Sequence, residues 1–179
     1  MAWSSKYNAK FTKLVVRQLV AMIQRDQRAA LDFVGGVNAL AGFVGYQIAG
    51  VPIDQCPAIL IVPAETLFNP DAQGSLESAN RFIIAIAVAN QDRQVLAELI
   101  QDYVMAVDAM LNTMPLSDFW TAMSLTMPAL GTVVTTPLEV GSVKDLFVAA
   151  HRYDQIRNLS TDGFRMAATL EVHIHREET

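Results

Sequence analysis

The sequence predicts an α+β fold: a mainly antiparallel sheet of four to five strands, helices packed on one face, and a C-terminal β-hairpin. Three observations carry that expectation. Phe164, Met166, Ala168, Leu170, Val172 and Ile174 alternate with Arg165, Ala167, Thr169, Glu171, His173 and His175, the period of a half-buried strand. Phe82, Ile84, Ile86 and Val88 form a large-residue row that alternates with the smaller row Ile83, Ala85, Ala87 and Ala89. Two further stretches repeat apolar residues at helical spacing. One comprises Phe11, Leu14, Val15, Leu19, Met22 and Ile23, the other Leu96, Leu99, Ile100, Tyr103, Val107, Met110 and Leu111.

Taken in order, the first helix begins near Ser4 or Ser5, whose hydroxyls can cap free backbone N–H groups. Lys10, Lys13, Arg17, Gln24 and Arg25 fall mostly on its outer side. A second short helix is expected from Gln27 to about Val34, stopped by Gly35-Gly36. Residues 27–56 form a helical and Gly-rich excursion, with 37–51 open between helix and packed loop. The run Pro57-Ala58-Ile59-Leu60-Ile61-Val62-Pro63 reads as a short strand between prolines. Residues 64–80, rich in Asn, Asp, Gly, Ser and Pro, read as a long exposed loop of the kind that carries function.

A strand over 81–90 is expected to be central and covered on both faces. Asn90 or Asp92 then caps the helix that runs to about Leu111. Between Asp118 and Glu139 the chain is uncharged and broken by Pro128, Gly131 and Pro137, with a weak β-segment over 131–140. Residues 145–157 form the first arm of the terminal hairpin, and Asn158 to Gly163 supplies its turn. A slip of one residue would turn the apolar row of the last strand outward, so its register is well specified. All 179 residues fit one domain, which at this length buries roughly 70% of its unfolded surface.

Composition narrows the function. The chain is 52% apolar and 17% charged, with mean hydropathy +0.27. Surface charge keeps monomers apart, so this shortage suggests that partners cover part of the surface. A net charge of −5 and a pI near 5.1 argue against nucleic acid as a specific ligand, since phosphate binding needs clustered Lys and Arg. The lone Cys56 cannot form an internal disulfide and reads as a small apolar side chain ahead of its strand. The first ten residues lack an apolar signal core, so secretion is not expected and Asn158-Leu159-Ser160 is a chance sequon. The 21 uncharged residues between Asp32 and Asp54 could span a bilayer by length. Gly35, Gly36, Gly42, Gly45, Gly50, Pro52, Asn38 and Gln47 dilute that stretch, so covered structure is expected there and no membrane partner.

Catalytic patterns are missing from the sequence. Gly42-Phe43-Val44-Gly45 is not followed by Lys and Ser or Thr, no G-x-G-x-x-G follows a strand, and there is no G-x-S-x-G. His173 and His175 share a strand face about 6.5–7 Å apart, and His151 on the paired strand would complete a three-histidine zinc site. No Cys and no certain acidic ligand joins them, and solvated or subunit-contacting histidines are the expected reading. Asp102 with Asp108, and Glu171 with Asp154, read as charges on solvated faces. Met105, Met110, Met114, Met123 and Met127 read as core or contact fillers rather than a soft-metal site. No enzymatic activity, cofactor or metal is expected.

In its order of elements the chain resembles the tail terminator and tail-completion (neck) proteins of long-tailed bacteriophages. The resemblance rests on the N-terminal helix through Arg25-Asp26-Gln27-Arg28-Ala29-Ala30-Leu31 and on the strand Pro57 to Pro63. It continues through the strand–helix unit Ile83 to Leu111, with Tyr103-Val104-Met105-Ala106-Val107-Asp108, and the hairpin from Leu146 to Glu171. The segments from Gly35 to Gly50 and from Phe119 to Leu138 are longer than that layout needs. The resemblance implies a structural virion protein of the tail or neck, assembled in the host cytoplasm. Its copies would form a ring, commonly a homohexamer, that caps the tail tube and joins it to a head-side connector. Tail-tube protein, sheath protein and a neck protein are the implied partners. Arg152, Asp154, Arg165, Glu171 and His173 are the expected subunit-interface residues, and Phe68, Asn69, Asp71 and Gln73 the expected tube-facing ones. Two alternatives stand beside it: a head-completion or stopper protein, and a small cytoplasmic ligand-binding regulatory domain.

Overall fold

A computed structural model of the chain describes residues 11–35, 40–45, 55–70, 76–113, 142–159 and 163–178. The elements run α1 (Phe11–Gly35), β1 (Ala58–Pro70), β2 (Leu76–Asn90), α2 (Arg93–Thr113), β3 (Ser142–Tyr153), β4 (Arg157–Leu159) and β5 (Gly163–Glu178). The strands form one antiparallel sheet in the order β1-β2-β5-β3, with β4 pairing β5 beyond the end of β3. The α+β fold, the one-sided helix layer and the terminal hairpin are as the sequence predicts.

Alternation along β2 and β5 sorts the sheet into two faces. Phe82, Ile84, Ile86 and Val88 on β2 point to the same side as Ala168, Leu170, Val172 and Ile174 on β5, and all are buried. Both helices lie on that side. Leu96, Ile100, Tyr103, Val104, Val107 and Leu111 of α2 and Val15, Leu19, Met22, Ile23 and Leu31 of α1 join the same core. Burying such a side chain contributes roughly 1.5–3 kcal/mol, so this face supplies most of the driving force. Asp92 caps α2: its Oδ1 accepts from the backbone N–H of Gln94 at 2.7 Å and of Val95 at 3.2 Å. Asn90 Oδ1 accepts in turn from the N–H of Asp92 at 2.8 Å, which fixes the turn into the helix.

The segment 40–45 is extended rather than helical, and α1 and α2 clamp it. Gln27 Oε1 accepts from Phe43 N–H at 2.8 Å, and the Tyr103 hydroxyl donates to Ala41 O at 2.6 Å. Phe43 and Tyr103 pack with ring centroids 5.3 Å apart. Gly45 then bridges to Ala58, with Ile59 N–H donating to Gly45 O at 2.8 Å. A Cβ at Gly45 would lie 3.0 Å from Gln55 O and 3.2 Å from Ala58 Cβ, so the close approach needs glycine. Among the described residues no helix is long and apolar enough to cross a membrane.

Several expectations are corrected. The predicted second helix at 27–34 is the C-terminal part of a single α1. Nothing between Gln24 and Val34 breaks a helix, and Arg28 pairs with Asp32 one turn on at 2.7 Å. The expected loop at 64–80 is strand over 64–70 and 76–80; residues 71–75 lie outside the described set. Pro63 does not end β1 because the register shifts between Pro63 and Glu65, and a bulge accommodates a proline that cannot donate to a ladder. β2 is central, and its cover is unequal: the helix-side row is fully buried, while on the other face Ala87 is buried and Ile83, Ala85 and Ala89 are half-buried. The first hairpin arm is split into β3 and β4 by residues 154–156. The expected helix start near Ser4 or Ser5 and the β-segment at 131–140 fall outside the described residues.

Candidate functional site

The side of the sheet away from the helices carries the candidate site. Residues at odd positions of β2 and β5 point there, and the register brings their neighbours alongside: Glu65 lies opposite Arg81, Arg81 opposite His173, His173 opposite Phe147, and Arg152 opposite Thr169. The result is a row of alternating charge across four strands. Glu65 Oε2 lies 3.9 Å from Arg81 Nη1, Arg81 Nη1 lies 3.5 Å from Glu171 Oε1, and Glu171 Oε2 lies 3.5 Å from Arg152 Nη2. His173 Nε2 stands 3.0 Å from Glu171 Oε1, and an ionised carboxylate can only accept, so the imidazole donates.

Glu171 is the centre of the row and the least exposed of its charged members. Its carboxyl is held below its ordinary value of 4.5, chiefly by the hydrogen bond from His173. Burial opposes that shift, and the charges of Arg81, His173 and Arg152 add to it. Arg81 Nε is buried beneath the row and has no hydrogen-bond partner among the described residues.

Beyond the row Phe147 lies 5.4 Å from the His173 ring and 5.7 Å, edge-on, from the His175 ring. His175 Nδ1 lies 3.1 Å from Asp145 Oδ1, but without hydrogen-bond alignment, so the contact is an ion-pair approach. A shallow groove of about 290 Å³ follows, with Ala79 flanked by Leu67 and His175 and rimmed by Glu77 and Lys144. Lys144 Nζ and Glu77 Oε1 are 3.7 Å apart across it.

Of the expected interface residues, Arg152, Glu171 and His173 come together in the row. Arg165 is on the same face but six residues from Glu171, roughly 20 Å along the strand. Asp154 stands in the break between β3 and β4, its N–H donating to Ala167 O at 2.9 Å. Phe68 and Asn69 are consecutive on β1 and so point to opposite faces; Asp71 and Gln73 lie outside the described residues. The sheet also separates the three histidines. His151 pairs with Leu170 and points to the helix side, where its Nε2 lies 3.1 Å from Asp108 Oδ1 of α2. His173 and His175 point the other way, so the three cannot share one ion. No cluster of three or more potential metal ligands occurs among the described residues.

Sequence reasoning missed Glu65 and Arg81. Glu65 was hidden by the expected loop, and its signal was the continuing strand-forming run Thr66-Leu67-Phe68 after Pro63.

No protein-family model matches the chain, and no curated protein matches its sequence. Among solved structures the chain is similar to one from the virion of a native gene transfer agent particle, at 12% identity over 94% of this chain and 98% of that one, with a TM-score of 0.46. A likeness so remote carries no functional argument.

Proposed function

We propose that this chain is a structural protein of a phage-like virion: a tail terminator whose copies close into a ring on the end of the tail tube. One end of the ring would bind tail-tube protein and, where present, sheath; the other would meet the head-side connector. The observation that supports the reading is the one-sided sheet. Its helix face buries the central rows of β2 and β5, while its other face leaves Phe147, Leu67 and a charge row in solvent, in a chain with only 17% charged residues. Such a surface fits a protein covered by copies of itself. Repetition of one heterologous contact around a closed rotation makes a ring with two different ends, each free for a different partner. The sequence's resemblance to tail terminator proteins, in its order of expected elements, also favours the reading.

Light scattering on the purified chain, followed by mixing with tail-tube protein, tests this. A closed oligomer that arrests tube growth at fixed length is the expected result. A strict monomer at high concentration that leaves tube growth unchanged overturns it. Saturable thermal stabilisation by a small metabolite would instead favour a ligand-binding domain.

A further inference from the structure

Among the described residues, the charge row ends differently at the two edges of the sheet. At the β1 edge it ends on an acid, Glu65, with its side chain 47% exposed; at the β3 edge it ends on a base, Arg152, 76% exposed. Between them Arg81 and Glu171 keep the alternation. A second copy placed beside the first, β1 edge to β3 edge, would bring Glu65 of one to Arg152 of the other and continue the pattern without a break. Apolar residues accompany the charges: Val62 and Leu67 are exposed on β1, and Phe147 is exposed on β3. All three point to the same face as the row.

The backbone of these edges is poorly suited to extending the sheet. β1 has a register shift between Pro63 and Glu65; β3 has shifts between Val143 and Asp145 and between Val148 and Ala150. Bulges and proline at an edge are the usual guards against strand addition. At its start β1 is further occupied by the bridge from Gly45. Side chains, not a continued hydrogen-bond ladder, are therefore available for contact.

We propose that the partner of these two edges is a second copy of this chain, joined through Glu65 on one copy and Arg152 on the next. This rests on the ring reading above and names its lateral contact. The contact is heterologous, because an acid-ended edge meets a base-ended edge and neither meets its own kind. The row crosses the strands obliquely, from the register level of His173 at β1 to that of Thr169 at β3. Neighbouring copies would therefore sit with their strands tilted to the ring axis.

Charge reversal on the full chain tests the contact, read by light scattering at physiological salt. Glu65→Arg alone and Arg152→Glu alone should each weaken association on the order of tenfold or more, since like charges then face each other. An equimolar mixture of the two variants should restore the ring, and so should the double variant Glu65→Arg/Arg152→Glu. A folding fault in either single variant would not be cured by mixing. High salt should weaken the native assembly, as screening reaches exposed pairs. If the native chain forms rings and both single reversals do too, the lateral contact is overturned while the ring reading stands. If the reversals dissociate the ring but neither mixing nor the double variant restores it, the pairing is likewise overturned. A native chain that stays monomeric, alone and with tube protein, overturns both.

Discussion

The two faces of this one sheet obey the same alternation and reach opposite ends. On the helix side, even-numbered residues of β2 and β5 bury Phe82, Ile84, Leu170 and Ile174 completely. On the other side, odd-numbered residues of the same strands present Arg81, Glu171 and His173, with Ile83, Ala85 and Thr169 half-buried among them. One residue of register is all that divides them. The first face needs only apolar bulk and shape; the second needs particular partners at particular positions. Substitutions on the first should therefore act on folding, and substitutions on the second on association.

The largest effect is expected in the sealed face. Phe82 is fully buried at the centre of the core, and Phe82→Ala should destabilise the fold by about 3–5 kcal/mol. Ile83→Ala, one residue along and half-buried, should cost clearly less, about 1–2 kcal/mol, because part of its side chain already meets water and no closed cavity is left. Chemical denaturation of the two variants measures the contrast. Equal midpoints would show that both faces are sealed, and the division drawn here would collapse.

That contrast also explains what the sequence made legible. Alternation from Phe164 to Ile174 announces a strand and its inward side from the order of residues alone, and the stripe from Leu96 to Leu111 announces a helix in the same way. The charge row could not be read so. Glu65, Arg81, Glu171 and Arg152 come from four strands, and their neighbourhood depends on the register between strands far apart in the chain. The bulge after Pro63 obscured it further: a proline between apolar residues looks like a strand end, and its tolerance on an edge depends on which strand is the edge. For the histidines, spacing placed His173 and His175 on one face as found, but could not show that the shift between Val148 and Ala150 puts His151 on the other.

A smaller effect belongs to the junction between the helices and segment 40–45. The Tyr103 hydroxyl donates to Ala41 O at 2.6 Å. Burial raises its pKa to about 12, and the neighbouring charge of Asp102 adds to the rise. Tyr103→Phe should cost about 1 kcal/mol at neutral pH, the net worth of one such bond. The sign of the pH dependence follows from the raised value. In the unfolded chain the phenol ionises near 10.0 while the folded protein keeps its proton to about 12, so its contribution is fully present below the first value and is lost as pH rises through the second. Native stability should fall between those two pH values, and the Tyr103→Phe variant should lack that part of the decline. An identical alkaline decline in both proteins would mean that Tyr103 is not the group responsible.

The smallest effect separates folding from association most finely, because it concerns one carboxylate that belongs to the open face. Glu171 is held below its ordinary value of 4.5, first by the His173 hydrogen bond. A depressed carboxylate stabilises the fold above its unfolded value, and that contribution is lost as pH falls through the folded one. The native chain should therefore be more stable than Glu171→Gln at neutral pH, and the two melting curves should converge as pH drops well below 4.5. Because Glu171 also links Arg81 to Arg152, the same variant should loosen the assembled form at neutral pH by releasing Arg152 from its fixed position. A stability difference that stays constant across the acid range would remove Glu171 from the fold's pH response. If association weakened all the same, the row would be acting between copies rather than within the subunit.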